Sequence, residues 1–370
     1  MSKKQQVDTT DQTVKKGLNA KHIVWPVLFG LIGIVWMIYN EFSQLGDSPV
    51  PLSHYITNTT IWFLLLSVAL IVIRDLSGMG RLYLLADKKL GFGALFRIRM
   101  LYEFTSAVTP SAAGGSTLEM IFINREGISF GRSTAICIMS LFLDELSLVL
   151  LFPLVFLFFP IDIFFQVAGE ASASIASLFA IGYFAKLIWV SILFVGIFVK
   201  PQVISWLISR IFSIKWLKKW KLKAFRTAVD IKACSKEMRH KSAGFFISNI
   251  LLSMLLWVSR FLIVNALIMA FVTASDSLTF VDQVIIAIRQ GIVLVVMMIA
   301  PTPGGSGFIE VMFESYLGEF IPVGMVSLII VSVWRMLTYY NYLIIGAIIT
   351  PRWLAKHFPR KKGNESKQEA

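Results

Sequence analysis

Long apolar stretches dominate this sequence and constrain its fold more than any other feature. A helix needs about 20 consecutive apolar residues to cross the ~30 Å hydrocarbon core of a membrane. Six stretches reach that length: residues 23–41, 55–73, 134–160, 177–199, 245–272 and 323–349. The chain is 56% hydrophobic with a mean hydropathy of +0.73, more than a soluble core of its 370 residues requires. We therefore predict an all-α polytopic membrane protein with about six full transmembrane helices.

Two further apolar stretches, residues 94–122 and 283–320, are interrupted near their middle by proline and glycine. Each predicts two helices that meet at a break, because both residue types end or bend a helix. The pair forms either a re-entrant hairpin or two short crossings of the membrane. In either case the chain enters and leaves on the same side.

The two interruptions contain the same motif, 191 residues apart. The first copy reads TPSAAGGSTLEMIF over residues 109–122, and the second reads APTPGGSGFIEVMF over residues 300–313. Ungapped alignment pairs Pro110 with Pro301, Gly114 with Gly305, Glu119 with Glu310, and Phe122 with Phe313. A broken, acid-bearing helix pair repeated in both halves of a membrane protein is typical of a transporter's substrate site.

The same offset extends beyond the motifs and predicts a repeat unit of span, broken pair and span, over residues 55–160 and 245–351. Three full spans separate the two broken pairs, so the copies open from opposite faces of the membrane. This is the pattern of an inverted-topology repeat. The alternative is that two proline-glycine kinks happen to be similar, since identity outside the motifs is weak.

Lysine and arginine are distributed unevenly between the loops. Residues 1–22, 74–133, 200–243 and 352–370 contain 5, 8, 12 and 6 of them, whereas loops 42–54, 161–176 and 273–282 contain none. Because basic loops stay in the cytoplasm, we expect a cytoplasmic (inner) membrane protein with both termini cytoplasmic. We expect two tails, residues 1–22 and 352–370, on either side of a transmembrane domain over 23–351.

The basic loop 200–243 interleaves aromatic and cationic side chains, which predicts a helix lying in the membrane interface. The net charge of +13 is explained by membrane orientation and by attraction to anionic lipid. We therefore expect no nucleic-acid partner.

The motif itself suits an anionic ligand. A helix that restarts after Gly-Gly presents unpaired backbone N–H groups and the positive end of its dipole, which favour phosphate or carboxylate. The alternative is that Gly-Gly-Ser only lets helices pack closely while the glutamate hydrogen-bonds to backbone.

Ionisable side chains inside the apolar stretches supply the second indication of a site. Asp144, Arg260, Arg289 and Arg335 each cost about 2.5–3.5 kcal/mol at a helix centre even on lenient insertion scales, so they face a cavity or one another. The 191-residue offset aligns Asp144 with Arg335, which places opposite charges at equivalent positions. Plain interhelical ion pairs are the alternative interpretation.

These arguments define the candidate substrate-binding residues. They are Pro110, Gly114, Gly115, Glu119, Asp144, Arg260, Arg289, Pro301, Pro303, Gly304, Gly305, Gly307, Glu310 and Arg335. The two cysteines, Cys137 and Cys234, fall in different compartments, and no histidine lies deep in a span. We expect no catalytic residues, no metal and no cofactor.

The motif pair, followed by Asp144 in the first half and Arg335 in the second, resembles the flippase-like membrane domain of the lysylphosphatidylglycerol synthases, also called multiple peptide resistance factors. The resemblance covers residues 23–351. The first motif departs from it, because Ser111-Ala112-Ala113 stands where relatives often have a more glycine-rich turn. In the full-length synthases a separate cytoplasmic domain transfers an amino acid to a phospholipid, and the membrane domain is thought to move the product outward. For this stand-alone form the resemblance implies lipid translocation without synthase activity.

We therefore expect translocation of a phospholipid, an aminoacyl-phospholipid or a lipid-linked sugar, through a polar cavity between the repeats. The expected partners are membrane lipids with a phosphate-bearing headgroup, and a homodimer and a separate lipid-modifying enzyme remain open. Two alternative functions also remain: an integral membrane enzyme that modifies lipid headgroups, and a structural membrane protein whose cavity is packed shut.

Overall fold

The structure, a computed structural model, is described over residues 56–108, 112–166, 171–200, 240–271, 278–296, 316–321 and 325–357, with Tyr39 and a few positions between 229 and 238. Nine α-helices lie in these ranges: α1 Asn58–Leu85, α2 Phe92–Val108, α3 Ala112–Arg125, α4 Phe130–Phe156, α5 Ala171–Phe194, α6 Ala243–Phe271, α7 Phe280–Val296, α8 Met325–Arg335 and α9 Asn341–His357. A π-helical turn, Val195–Val199, prolongs α5, and another, Met336–Tyr340, joins α8 to α9.

This architecture confirms the prediction of an all-α polytopic membrane protein. Within the described ranges, four helical segments are long and apolar enough to cross a membrane: α1, α4, α6 and residues Ser174–Val199. The predicted span 323–349 corresponds to α8, its π turn and α9. The predicted span 23–41 and most of the basic loop 200–243 lie outside the described residues.

The outward faces of the long helices are apolar, as lipid contact requires. On α1, Ile61, Trp62 and Leu65 are exposed, and on α5 the exposed residues include Ile181 and Ile188. An aqueous protein surface rarely carries so many large apolar side chains side by side. These faces therefore belong against the membrane interior.

Helices α1 and α6 pack along each other in antiparallel directions. Arg81 near the end of α1 donates to Ser253 near the start of α6, with 3.1 Å between Nη1 and Oγ. Farther along the pair, Ile71 shares a buried cluster with Val264. The 191-residue offset relates these two helices, and their antiparallel packing is the relation that an inverted repeat requires.

The first predicted broken pair consists of α2, which ends at Val108, and α3, which begins at Ala112. One detail of the prediction is wrong: α3 begins at Ala112, so Gly114 and Gly115 lie in its first turn and do not precede the helix. Proline disfavours helical backbone mainly at the residue before it, so a helix can restart soon after Pro110. Glu119 lies two turns into α3, as predicted.

The second broken pair is described only in part. Helix α7 leads towards it and ends at Val296, and the chain is described again from Tyr316, with a 3₁₀ turn at Gly318–Phe320. The second motif, residues 300–313, lies outside the described residues together with Pro110 of the first.

A turn after α1 joins three helices at one corner of the bundle. Asp87, in the left-handed region with φ 52°, ends the helix. Its carboxylate contacts Arg132 at 2.6 Å at the start of α4 and also Lys241 just before α6. Partial burial acts against the charged carboxylate, but the hydrogen bond from Lys241 and the charge of Arg132 outweigh it and lower the pKa of Asp87.

Candidate functional site

Helix α1 carries charge along its buried face. Arg74, Gly78 and Arg81 recur at helical spacing and continue the stripe that Ser67 and Ile71 begin. Gly78 leaves room for a guanidinium from α2, because a Cβ atom built there would lie 3.1 Å from Cζ of Arg99. The face of α1 that the bundle covers thus carries two arginines in its second half, beside apolar residues such as Leu82.

Two buried arginines and two partly buried carboxylates form one network between α1 and α2. Arg74 contacts Asp75 at 3.1 Å and Glu103 at 3.3 Å. Arg99 contacts the same two carboxylates, at 3.2 and 2.6 Å. From α9, the Tyr342 hydroxyl donates to the Oδ2 atom of Asp75 at 2.6 Å. Two cations and two anions share these bonds, so the network is balanced in charge.

A second ion pair joins α1 to α4. Arg81 donates to both carboxylate oxygens of Asp144, at 2.5 and 3.0 Å. The indole nitrogen of Trp257 on α6 donates to the same carboxylate at 3.3 Å. Bidentate arginine–carboxylate bonds are among the stronger polar contacts in proteins, so this pair fixes three helices relative to one another.

A small cavity of about 30 Å³ lies beside this pair, large enough for a water molecule or two. Its walls include Arg81, Glu119, Cys137 and Asp144. The structure therefore brings together two of the predicted acidic residues, Glu119 and Asp144, at a cavity that Arg81 and Arg99 also line.

A larger cavity of about 240 Å³ lies between α2, α6, α7, α8 and the segment that joins α8 to α9. Its charged wall residues in the described part of the chain are Arg74, Glu103, Arg260 and Arg335. Aromatic and hydroxyl groups complete the polar side: Tyr102, Ser106, Trp334, Thr338, Tyr339 and Tyr342. Tyr102 lines both cavities, so the two charged regions are neighbours.

The large cavity lies at the ends of the two helices, α2 and α7, that lead towards the repeated motifs. Tyr102 and Glu103, from the last two turns of α2, line it together with Val293 and Leu294 from the last turn of α7. The 191-residue offset aligns these residues pairwise, Tyr102 with Val293 and Glu103 with Leu294. The cavity is thus formed by equivalent helices of the two halves, although only the first half contributes charge at these positions.

The predicted site residues divide into three groups. Arg260 and Arg335 line the large cavity, and Glu119 and Asp144 line the small one. Arg289 belongs to neither wall: it donates to the backbone oxygens of Tyr316, at 3.0 Å, and of Gln166, and it pairs with Glu319. Asp144 and Arg335, aligned by the repeat, therefore lie at different cavities and do not contact a common ligand position.

Gly114 and Gly115 lie in α3, and the remaining predicted residues fall outside the described part of the chain. These are Pro110, Pro301, Pro303, Gly304, Gly305, Gly307 and Glu310. Their roles stay predictions.

Four charged residues near the cavities were missed by the sequence reasoning, which counted all basic residues of 74–133 with the cytoplasmic loops. Arg74, Arg81 and Arg99 are buried inside the bundle, and Glu103 lines the cavity. The predicted span 55–73 was too short, because α1 continues for 12 residues beyond the predicted end at 73. The helical spacing of Arg74, Gly78 and Arg81 was the available signal. The segment has five other basic residues, and the side of the membrane on which they lie stays a prediction.

Comparison with known proteins identifies the family. The family model described as the lysylphosphatidylglycerol synthase TM region matches residues 23–346. A UPF0104 membrane protein of Archaeoglobus fulgidus is 21% identical over 272 residues, which cover 70% of this chain and 76% of that protein. No solved structure gives a significant match. Since the family match spans most of its length, this multi-pass membrane protein belongs to the lysylphosphatidylglycerol synthase TM region family.

Proposed function

We propose that the protein moves a phosphate-bearing lipid across the cytoplasmic membrane. The headgroup passes through the large cavity while the acyl or prenyl chains stay in the bilayer. One observation carries the proposal: a cavity with three arginines in its wall lies inside the membrane domain, at the ends of both helices that lead into the repeated motifs.

Arginine in such a position needs a functional explanation, because ionisable side chains within the membrane mark substrate or ion pathways. The planar guanidinium binds phosphate through paired hydrogen bonds, and it keeps its charge in a water-poor cavity. A headgroup would find these donors beside aromatic side chains, Trp334 and Tyr339 among them. These groups together suit a polar headgroup better than an acyl chain.

The position of the cavity between equivalent helices supports transport over a static site. Alternating-access transporters place their substrate at the interface of inverted repeats, where one half moves against the other. Helices α1 and α6, which the 191-residue offset relates, pack against each other, and α2 and α7 end at the cavity. In the proposal the two halves open the cavity in turn to the two faces of the membrane, with both termini cytoplasmic.

A vesicle assay tests the proposal. The purified protein is reconstituted in phosphatidylcholine vesicles that contain acyl-labelled phosphatidylglycerol, and transfer between leaflets is followed by quenching of the label in the outer leaflet. We expect transfer well above that of empty vesicles, and a fall of at least tenfold, about 1.4 kcal/mol, for Arg335→Ala.

The matched control is Arg352→Gln, which removes an exposed arginine on α9 away from the cavity and leaves transfer unchanged. Chemical analysis of the lipid after the assay separates movement from headgroup modification. Transfer by Arg335→Ala at the parent rate, in correctly folded protein, would show that lipid does not pass through this cavity.

A further inference from the structure

The charged side chains around the large cavity fall into two sets: a network whose charges cancel, and residues that lie outside this network. Arg74 and Arg99 are each bonded to both Asp75 and Glu103, so these four groups compensate one another. Glu103 is the one acidic side chain that lines the cavity among the residues described, and both of its contacts are arginines. The cavity thus presents no uncommitted carboxylate from this part of the chain.

Arg260 and Arg335 line the cavity outside this balanced network, and Arg260 is the one considered further. It lies beyond the middle of α6, it lines the cavity, and its side chain is exposed there. Within the described ranges it has neither an ion pair nor a hydrogen bond, and its guanidinium lies 5.5 Å from the centre of the Trp257 ring. A cation–π contact of this kind compensates a guanidinium charge only in part.

We propose that Arg260 binds the phosphate of the transported lipid, and that the cavity selects an anionic headgroup over one that carries amino groups. This inference rests on the proposed function and names the substrate class of the same cavity. A lysyl ester adds two ammonium groups to a phosphate diester and makes the headgroup a net cation. Such a headgroup would meet Arg260 with repulsion and would find Glu103 already bonded to Arg74 and Arg99.

The two predicted acidic residues that the structure describes, Glu119 and Asp144, do not change this conclusion, because they line the small cavity. Asp144 is bonded to Arg81, and Glu119 lies at the same small cavity. An aminoacyl group in the large cavity would have to displace these contacts to reach either carboxylate.

A binding experiment in detergent tests the selection independently of transport. The full chain is mixed with equal amounts of phosphatidylglycerol, phosphatidylethanolamine and lysyl-phosphatidylglycerol, and bound lipid is counted by native mass spectrometry. We expect phosphatidylglycerol to bind at least tenfold more tightly than the lysyl lipid, with phosphatidylethanolamine between them.

Three variants assign the effect to Arg260. Arg260→Gln is expected to lose at least tenfold in phosphatidylglycerol affinity and most of the preference, whereas Arg260→Lys keeps the preference. Arg260→Glu is expected to favour the lysyl lipid. Arg352→Gln, with the same loss of charge at an exposed site, should behave as the parent. Because Arg260 makes no hydrogen bond or ion pair within the described ranges, these variants should keep the parent's thermal stability, which is measured alongside.

The vesicle assay, run with the same three lipids labelled on their acyl chains, separates the two proposals. Equal or tighter binding of the lysyl lipid by the parent overturns the selection, even if lipid is transported. Unchanged preference in Arg260→Gln also overturns the role of this residue. Selective binding without any transfer in vesicles instead supports the selection and overturns the proposed transport.

Discussion

The ion pair between Arg81 and Asp144 permits a quantitative test of how this membrane domain is held together. Asp144→Asn would remove the carboxylate that accepts two hydrogen bonds from Arg81, at 2.5 and 3.0 Å, and one from Trp257, at 3.3 Å. The Arg81 side chain is only 8% exposed, so its charge cannot move into water. The Asn variant therefore leaves a buried guanidinium without its counter-charge.

Removal of one partner of a buried ion pair costs about 3–5 kcal/mol, most of it from the charge left behind. Asp144 is 23% exposed, and Arg81 keeps its hydrogen bond to Ser253 at 3.1 Å, so the low end of that range applies. We expect Asp144→Asn to lose about 3 kcal/mol of unfolding free energy. Ser253→Ala, which removes one neutral acceptor, should cost only about 1 kcal/mol.

The double variant Arg81→Met with Asp144→Leu separates charge from packing. It removes both charges and fills the space with apolar side chains of similar size, and such replacements are often neutral or stabilising. We expect it to lie within about 1 kcal/mol of the parent, although each single change is strongly destabilising.

Unfolding in mixed detergent micelles, followed by tryptophan fluorescence, measures these differences. Arg352→Gln serves as the surface control and should lie within about 0.5 kcal/mol of the parent. The reasoning is refuted if Asp144→Asn is as stable as this control, or if the double variant is as unstable as the Asn variant. The first result would mean that water compensates Arg81, and the second that shape and not charge fixes the contact.

Two further perturbations probe other parts of the fold. Gly346→Ala places a Cβ atom 2.2 Å from the Phe104 ring, so it should destabilise the protein by about 1–3 kcal/mol. Gly131→Ala, which has open space around it, should be neutral or slightly stabilising. Thermal melting in detergent distinguishes the two variants, and equal melting temperatures would contradict the close contact. Asp87→Asn should destabilise the protein at neutral pH, because the lowered pKa of Asp87 means that its contact with Lys241 stabilises the folded state above the ordinary value of 3.8. The difference from the parent should disappear as the pH falls through the folded-state pKa, and a difference that persists in acid would assign the effect to packing.

The helices were predictable because the apolar stretches needed to cross a membrane are long and continuous. Where prediction failed, charge was the cause: hydropathy falls at Arg74, so the predicted span ended at 73, whereas α1 continues to Leu85. The charged residues stay in the bundle because their partners come from other segments, as Glu103 on α2 does for Arg74. A hydropathy window includes the cost of burying a charge, but it does not include the counter-charge from a distant part of the chain that compensates this cost.

The candidate site was likewise predictable only in part. The repeat predicted the first helix break, and the ionisable residues inside the apolar stretches predicted Arg260 and Arg335, which line one cavity with the ends of α2 and α7. It also suggested that Asp144 and Arg335 act at equivalent positions, yet the partner of Asp144 is Arg81. An internal repeat indicates roughly how deep in the membrane equivalent residues lie and in which order the helices follow along the chain. It does not fix which side chains meet, because sequence identity between the halves is low and their charges differ.

The balanced network of Arg74, Asp75, Arg99 and Glu103 is better explained by the cavity than by stability. Apolar side chains of similar size would hold α1 against α2 at no greater cost, since buried ion pairs gain little over good packing. Apolar packing would also tend to close the cavity and leave Arg260 in a drier, less favourable environment. The bonded charges instead keep that wall polar while they cancel one another. The wall can therefore contact a polar headgroup without competing with Arg260 for its phosphate. On this reasoning neutral, well-packed replacements of the network would preserve the fold and abolish lipid transfer, whereas replacement of Arg260 alone would change which lipid is bound.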